Sequence, residues 1–160
     1  MKLASGLAPV VDLLRRGVPV GLGTDGCASN NNLDLIQEMD TAAKLQKLRY
    51  LDPTVLPATT ALDLATRGGA RVLGLEGRVG ALSPGMMADL VVLDLDQPHL
   101  TPLYTPYSHL VYAAGGSDVQ TVVVHGQVVV QDRRLLTFDL KETLARTREL
   151  ARALGAGPAR

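Results

Sequence analysis

The chain is organised around one stretch, Val18-Pro19-Val20-Gly21-Leu22-Gly23-Thr24-Asp25-Gly26-Cys27-Ala28-Ser29-Asn30-Asn31-Asn32. Its β-branched apolar start predicts a short buried strand over residues 18–22, followed by a loop of small residues and a long amphipathic helix. This order places the Asp25 carboxylate at the carboxyl end of the strand, where the loops of α/β folds build binding and catalytic sites. A carboxylate there can ligate a metal, transfer a proton or cap the following loop, and the stretch alone leaves the three roles open.

The composition indicates one ordinary domain without a charge bias. A chain of 160 residues is long enough to bury a core, and its 16 basic and 16 acidic residues balance. This balance argues against capture of nucleic acid or of an anionic membrane. Neither a secretory signal nor a bilayer-spanning apolar run is visible, and the single cysteine, Cys27, cannot form an internal disulfide. We therefore expect a cytoplasmic protein in which Cys27 is a buried small residue.

Helical periodicity predicts four helical segments in the first half of the chain, residues 7–16, 33–50, 59–66 and 70–73. Asn32 stands where the N-cap of the second helix is expected, and Gly68-Gly69 is predicted to interrupt the chain between the third and fourth. One strand between two helices cannot form a sheet by itself. The first half is therefore predicted to be the last unit of a parallel α/β structure.

The second half is predicted to be rich in strands. Residues 89–94 form an apolar run bounded by acids, and residues 121–130 are typical of a hairpin whose two-residue turn is His125-Gly126. The Pro-interrupted residues 97–106 are predicted to be a loop. Residues 139–154 are predicted to form a closing amphipathic helix with Asp139 as its N-cap.

A nucleotide-binding interpretation ranks third among the hypotheses. Gly21-x-Gly23-x-x-Gly26 matches the dinucleotide fingerprint after a predicted strand. However, Asp25 would put a negative charge beside the pyrophosphate, and the predicted helix starts too late to present its N-terminus to the phosphates. A second strand ending in an acid is also missing about twenty residues later.

Several motifs occur in an order that resembles one enzyme superfamily. They are Gly23-Thr24-Asp25-Gly26, Ala28-Ser29-Asn30-Asn31, Leu33-Asp34, Leu56-Pro57-Ala58, Ala70-Arg71-Val72-Leu73-Gly74-Leu75, Gly80-x-Leu82-Ser83-Pro84-Gly85, Ala88-Asp89-Leu90-Val91-Val92, Val122-Val123-Val124-x-Gly126-x-Val128-Val129 and, at the start, Lys2-Leu3-Ala4-Ser5-Gly6. As an ordered set they resemble the C-terminal portion of the amidohydrolase superfamily. The nearest branch is that of the 5-methylthioadenosine/S-adenosylhomocysteine deaminases and the related chlorohydrolase-like and cytosine deaminase-like enzymes.

The resemblance implies an α/β fold with three parts. Residues 1–74 would be the last βα units of a metal-dependent hydrolase (β/α)8 barrel. Residues 75–138 would supply strands of a flanking β-sandwich, and residues 139–160 would form the closing helix and tail.

The resemblance also implies a hydrolase of non-peptide C–N bonds, an aminohydrolase of an adenine nucleoside such as S-adenosylhomocysteine or 5-methylthioadenosine. In that family the aspartate matching Asp25 binds a divalent metal, with zinc favoured, and accepts a proton from the attacking water. A Lewis acid lowers the pKa of that water, and the carboxylate can return the proton to departing ammonia. By family position Lys2 and Ser5 line the substrate mouth, whereas Ser29 and Asn30 either orient Asp25 or contact the substrate.

The chain departs from the family in its metal ligands. The family site also needs a His-x-His pair, later histidines and a glutamate, but this chain has only His99, His109 and His125, which are not spaced as a metal pair. His125 is expected to be a turn residue. One carboxylate does not hold a zinc ion, which needs at least three protein ligands. We therefore expect a portion that lacks the first six barrel strands and is catalytically incomplete by itself.

A second hypothesis comes from another class: a non-catalytic chain stabilised by homo-oligomerisation or by a partner chain. It rests on the missing ligands and on the predicted strand 18–22, whose edges would be open. For the enzyme, the expected partner is a small molecule, a purine nucleoside or a related heterocycle. The choice among adenine, guanine and triazine compounds stays open because all the barrel loops set it. The metal stays open too, since mixed His/carboxylate sites accept several first-row ions.

Overall fold

The computed structural model describes residues 3–155 as a mixed α/β chain. Its elements in chain order are α1 (Val10–Arg15), α2 (Cys27–Asn30), α3 (Leu35–Tyr50), α4 (Ala58–Ala65), α5 (Arg67–Val72), β1 (Leu90–Leu93), α6 (Pro106–Tyr112), β2 (Val119–Val124), β3 (Gln127–Gln131), β4 (Arg134–Leu135) and α7 (Leu140–Ala153). Two short 3₁₀ helices, Pro98–Leu100 and Gly116–Asp118, flank α6. In this part of the chain the first half is helical and the strands lie in the second half.

The strand expected over residues 18–22 does not form in the described chain. The segment pairs with none of the strands of the sheet, and the Val18 side chain is 42% exposed. Its end is held instead by the Leu22 N–H, which donates to the Leu64 carbonyl oxygen at 3.1 Å. A β-strand is stabilised by pairing of its backbone groups with a neighbour. Residues 3–155 place no parallel strand beside this segment, so the prediction of a strand was wrong.

The same segment lies directly on α5 through three glycines. A Cβ atom on Gly68 would lie 2.7 Å from the Val20 carbonyl oxygen, and one on Gly21 would lie 2.9 Å from the Gly69 Cα. These distances are too short for any side chain, so the close approach requires glycine at both places. Gly68 and Gly69 are therefore part of α5, and the prediction that they interrupt the chain before a helix at residue 70 was wrong.

α3 begins at Leu35 because Asp34 caps it. One oxygen of Asp34, Oδ1, accepts hydrogen bonds from the N–H groups of Ile36 at 2.9 Å and Gln37 at 3.3 Å. An aspartate that accepts from the first free N–H groups is a typical N-cap. The prediction of Asn32 as the cap was wrong, because its Oδ1 accepts from the Asp34 N–H at 2.8 Å and so shapes the turn before the helix.

The hydrophobic core lies among α1, α3, α4 and α6. Its buried members are Val10, Val11, Met39, Ala43, Val55, Leu56, Ala61, Leu64 and Val111. One polar side chain is buried with them: Gln46 donates from Nε2 to the Ala8 carbonyl oxygen at 2.9 Å and accepts from the Val11 N–H at 3.4 Å. These bonds tie the segment that leads into α1 to the middle of α3. α1 is shorter than the predicted helix over residues 7–16, since Pro9 stands immediately before it.

The four strands form one antiparallel sheet in the order β1-β2-β3-β4. β1 and the β2–β3 hairpin confirm the strands predicted around residues 89–94 and 121–130. His125 and Gly126 form the predicted two-residue turn, with φ angles of 50° and 77°. Positive φ at both positions matches the twist of a tight hairpin. The two-residue β4 and the whole of α6 were not predicted from the sequence.

α7 begins after Asp139, whose Oδ1 accepts from the N–H groups of Lys141 at 2.8 Å and Glu142 at 3.0 Å, which confirms the predicted cap. None of its residues is buried. Residues 97–106, predicted to be a loop, contain the first 3₁₀ helix. Across the described residues, the helices are too short or too polar to cross a lipid bilayer.

An apolar cavity of about 800 Å³ lies between α3–α5 and the sheet. Its walls include Ile36, Met39, Leu62, Leu90 and Val123. Asp25, Ser29 and Asn30 do not line it, so the candidate site is a different part of the surface.

Candidate functional site

Asp25 lies in a tight turn between the segment on α5 and the short helix α2. Its φ is 58°, in the left-handed region that an aspartate tolerates better than most residues. Its Oδ1 accepts from the Gly26 N–H at 2.7 Å, and its Oδ2 accepts from the Ser29 hydroxyl at 2.6 Å. The carboxylate is thereby oriented on both sides while the residue stays exposed to solvent.

These two hydrogen bonds also favour the ionised form of Asp25. The Ser29 hydroxyl, and after it the Gly26 N–H, lower the pKa of the carboxyl below its ordinary value against the opposing effect of burial. Hydrogen bonds that donate to a carboxylate favour its ionised form. Asp25 is therefore an anion at neutral pH, and it is able to offer an oxygen ligand to a cation or to accept a proton.

Asn30, the last residue of α2, joins the Asp25 turn to α3. Its Nδ2 donates to the Thr24 carbonyl oxygen at 2.8 Å and to the Glu38 carboxylate oxygen Oε1 at 2.6 Å. Glu38 lies in the first turn of α3 and was not among the residues singled out from the sequence. An acid in the first turn of a helix is ordinarily explained by the helix dipole, so nothing in the sequence signals that Glu38 is bonded to Asn30.

The neighbouring asparagines have structural positions. Asn31 ends α2 with φ of 61°, a left-handed conformation that asparagine adopts readily. Asn32 accepts from the Asp34 N–H and its Nδ2 donates to Gln37 Oε1. Asp34 also uses its second oxygen, Oδ2, to accept from the Gly116 N–H at 2.8 Å. The start of α3 is thus bonded on one side to the asparagine turn and on the other to the segment before β2.

The other candidate residues are not brought into this cluster. Ser5 lies exposed in the segment before α1, with no hydrogen bond to Asp25, Ser29 or Asn30 among the bonds of the described chain. Lys2 lies outside the described residues. Cys27 is the exposed first residue of α2. The expectation that Cys27 is buried was therefore wrong, because the turn at Asp25 directs α2 towards solvent.

The histidines lie in the second half of the chain and have partners there. His99 Nε2 is 3.0 Å from Oδ2 of the buried Asp118, whereas the His109 ring nitrogens lie 3.1 and 3.0 Å from the backbone carbonyl oxygens of Thr105 and Pro102. His125 is the turn residue of the hairpin. Between residues 3 and 155, no three His, Cys, Asp or Glu side chains are grouped so that they could hold a metal ion. Asp25 is therefore a single candidate ligand and not a complete metal centre.

Asp118 shows how a buried carboxylate is kept ionised in this fold. Burial raises its pKa, but the His99 ring and the Gly115 N–H, which donates at 2.9 Å, together hold the pKa below its ordinary value. The Gly115 bond lies beside the Gly116 N–H that donates to Asp34. Asp118 and its Gly115 partner belong to the connection between α6 and β2 and not to the Asp25 turn.

Comparisons with known proteins agree on one family. A model described as the amidohydrolase family matches residues 1–129. The 5-methylthioadenosine/S-adenosylhomocysteine deaminase 1 of Syntrophus aciditrophicus is 62% identical over 151 residues, which is 94% of this chain and 34% of that protein. The 5'-deoxyadenosine deaminase of Methanosarcina mazei is 53% identical over 156 residues, 98% of this chain and 36% of that protein.

A solved structure is similar over the same extent. The crystal structure of an adenosine deaminase from Xanthomonas campestris with bound zinc superposes with a TM-score of 0.93 at 42% identity, and the match covers 98% of this chain and 36% of that one. The chain thus spans about a third of the length of the relatives that it matches.

Proposed function

The chain belongs to the amidohydrolase family, and from that premise we propose that it carries the metal-binding aspartate, Asp25, of an adenine-nucleoside aminohydrolase. One observation carries the proposal. The Asp25 carboxylate is exposed, oriented by Ser29 and Gly26, and held in its ionised form. An ionised carboxylate in a well-defined turn has the properties that a divalent cation requires of a ligand.

Among the described residues, Asp25 fits one ligand of a metal site whose other ligands lie elsewhere. Zinc accepts carboxylate oxygen as well as histidine nitrogen and needs at least three protein ligands. Within residues 3–155, no three carboxylate, histidine or cysteine side chains are grouped so that they could hold a metal ion. The other ligands of the proposed centre therefore come from outside this stretch of chain, in keeping with relatives that are about three times as long.

When bound, the divalent metal would act as a Lewis acid that lowers the pKa of the attacking water towards neutrality. Asp25 would accept a proton from that water as the water oxygen attacks the ring carbon that bears the amino group. It would then return the proton to the amino nitrogen as the C–N bond breaks, which releases ammonia and leaves a hydroxyl on the ring. The carbonyl forms when the second proton of the water moves from that oxygen to the adjacent ring nitrogen. The carboxylate begins and ends this sequence ionised.

Ser29 and Asn30 are proposed to orient Asp25. The Ser29 hydroxyl is within bonding distance of the Asp25 carboxylate, and both hydrogens of the Asn30 amide nitrogen are directed at protein acceptors. These contacts favour positioning over the alternative, direct contact with the substrate. A role for Ser5 and Lys2 at the substrate mouth stays a prediction from the family resemblance.

The proposed substrate is a small purine nucleoside. The relatives at 62% and 53% identity bear the names of deaminases of 5-methylthioadenosine, S-adenosylhomocysteine and 5'-deoxyadenosine, and the similar solved structure is that of an adenosine deaminase. These names share an adenine whose amino group is removed and differ in the 5' substituent. The adenine is therefore the part of the substrate that the proposal specifies.

A second candidate function is that of a non-catalytic chain stabilised by pairing with a copy of itself or with a partner. The exposed leucines along one side of α7 favour it. Leu140, Leu144 and Leu150 recur on one side of α7, Leu154 follows its last residue, and all four are exposed. Metal analysis of the dialysed 160-residue chain tests the single-ligand proposal. We expect well under one zinc per chain. A tightly held zinc in near-equal stoichiometry would contradict the single-ligand proposal and favour copies that share a site.

The catalytic role of Asp25 requires a complete barrel. This chain is placed in the Syntrophus aciditrophicus deaminase in exchange for the segment that it matches, and release of ammonia from 5-methylthioadenosine and S-adenosylhomocysteine is measured. Asp25→Asn should lower kcat about 100-fold or more, since it removes the proton acceptor and a charged ligand. Asp52→Asn is the matched control, because the Asp52 carboxylate also accepts from a hydroxyl and an N–H, both of Thr54, and its pKa is also lowered. Full activity of the Asp25→Asn enzyme would refute the proposal.

A further inference from the structure

We propose that Glu38 is the positioning residue of the Asp25 turn and that it acts through Asn30. The inference rests on the proposed function, in which Asp25 is the reacting carboxylate. The hydrogen bonds of the Asp25 carboxylate within residues 3–155 come from Gly26 and Ser29 and not from Glu38. The Glu38 carboxylate oxygen Oε1 accepts a 2.6 Å hydrogen bond from Asn30 Nδ2, and the same nitrogen donates to the carbonyl oxygen of Thr24 at 2.8 Å.

The chemistry of an amide explains why Glu38 determines the orientation of Asn30. A side-chain amide has one NH2 group, which donates two hydrogen bonds, and one carbonyl oxygen, which only accepts. Both partners here are acceptors, so the nitrogen and not the oxygen of Asn30 must face them. The negative charge of Glu38 makes its bond the stronger of the two. With the amide held in this way, its second hydrogen points at the carbonyl of Thr24, the residue directly before Asp25.

Glu38 itself stands on a rigid element. Asp34 caps the helix four residues earlier and is bonded to Gly116, and Met39 and Ala43 of the same helix are buried in the core. The bonds of Asp25 to Gly26 and Ser29, in contrast, are local to the turn. The Asn30–Glu38 bond spans eight residues and joins the turn to this anchored helix. A site supported by such a contact keeps its geometry within the limits that catalysis needs.

The hydrogen-bond acceptor of Glu38, rather than its volume or its charge alone, is what holds Asn30 in place. Glu38→Gln keeps an oxygen at the same distance along the side chain, so it still accepts from Asn30. Glu38→Leu keeps a similar volume without an acceptor. Asn30→Asp places a carboxylate against two acceptors and removes the donor. Asn30→Asp should therefore be at least as severe as Glu38→Leu, because it also loses the bond to Thr24 and places a like charge beside Glu38. The double variant should lose little more than Asn30→Asp, because both single changes remove the same link.

Two measurements test the inference. Backbone amide exchange in the 160-residue chain reports the turn directly: the N–H groups of Ser29 and Asn30, which donate to the Gly26 carbonyl oxygen at 3.0 Å, should exchange at least tenfold faster in Glu38→Leu than in the unchanged chain or in Glu38→Gln. In the complete deaminase chimera, Glu38→Leu should lower kcat about 10- to 100-fold with KM and zinc content within twofold, as expected for a misplaced reacting group. Glu38→Gln should stay within threefold.

Glu142→Leu is the matched control, because Glu142 is the first-turn acid of α7, the other aspartate-capped helix. It should change neither measurement. Equal amide exchange in Glu38→Leu and Glu142→Leu would overturn the inference, and so would a Glu38→Gln enzyme as slow as Glu38→Leu. Failure of the proposed function has a different signature. The Asp25→Asn chimera would then stay active, while the exchange measurement, which needs no activity, would still decide the role of Glu38.

Discussion

The contact between the segment that leads to Asp25 and helix α5 makes a sharp prediction, because two adjacent glycines of one helix should respond oppositely to the same substitution. Gly68→Ala places a Cβ atom 2.7 Å from the Val20 carbonyl oxygen and 3.1 Å from that of Asp63. Gly69→Ala places one 3.6 Å from the Leu64 carbonyl oxygen, an ordinary van der Waals distance. The two variants differ in nothing else of chemical importance.

The magnitude follows from two terms. Alanine is favoured over glycine inside a helix by about 0.5–1 kcal/mol, a gain in the free energy of unfolding that both variants share. Overpacking against fixed backbone costs about 1–3 kcal/mol, and only Gly68→Ala incurs it. The two variants should thus differ by about 1–3 kcal/mol. For a chain of this size that corresponds to melting temperatures about 2–12 °C apart, with Gly69→Ala at or above the unchanged chain.

Thermal and urea unfolding of the 160-residue chain, followed by circular dichroism, measures this difference. Chemical unfolding also gives the slope of free energy against denaturant, which should be the same for both variants if only the folded state is affected. Equal stability of the two variants, or a Gly68→Ala chain more stable than Gly69→Ala, would refute the close approach of residues 20 and 21 to α5. The segment that ends at Asp25 would then follow a different path from the one described.

Three shorter predictions concern charges and caps. Ser29→Ala should raise the pKa of Asp25 towards its ordinary value in a carbon-13 titration, since the Ser29 hydroxyl is the main cause of the lowering; an unchanged pKa would contradict the observed bond. Asp34→Ala should lower the free energy of unfolding by about 1 kcal/mol or more and Asn32→Ala by less, as judged by urea unfolding, because Asp34 is the cap. The folded-state pKa of Asp118 is lowered, so its contribution to stability is present above the unfolded pKa of about 3.9 and lost as pH falls through the folded value. Asp118→Asn should make the free energy of unfolding less dependent on pH in the acid range. An unchanged pH profile would contradict the stabilising role of the ionised Asp118.

Much of the candidate site was predictable because its chemistry is local. The Gly-Thr-Asp-Gly turn, the following Ser29 and the asparagines lie within eight residues of Asp25, and the family resemblance that they carry is confirmed by the match over residues 1–129. The exact cap of α3 was missed because Asn32 and Asp34 are both good capping residues, and only the backbone path selects between them. Glu38 was missed because its partner lies across a turn whose shape no periodicity describes. The barrel, the sandwich and the roles of Lys2 and Ser5 stay predictions.

The amino-acid sequence by itself determined the family, the Gly-Thr-Asp-Gly turn that contains Asp25, the His125-Gly126 hairpin and the capped closing helix. Each depends on neighbours along the chain, so residue type and spacing are sufficient to specify it. Only the tertiary structure decided that residues 18–22 join none of the strands described between residues 3 and 155, that Gly68 and Gly69 belong to a helix, and that Asn30 is bonded to Glu38. Those outcomes depend on which groups meet in space, since backbone pairing and side-chain hydrogen bonds are satisfied by whatever partner the fold brings within reach.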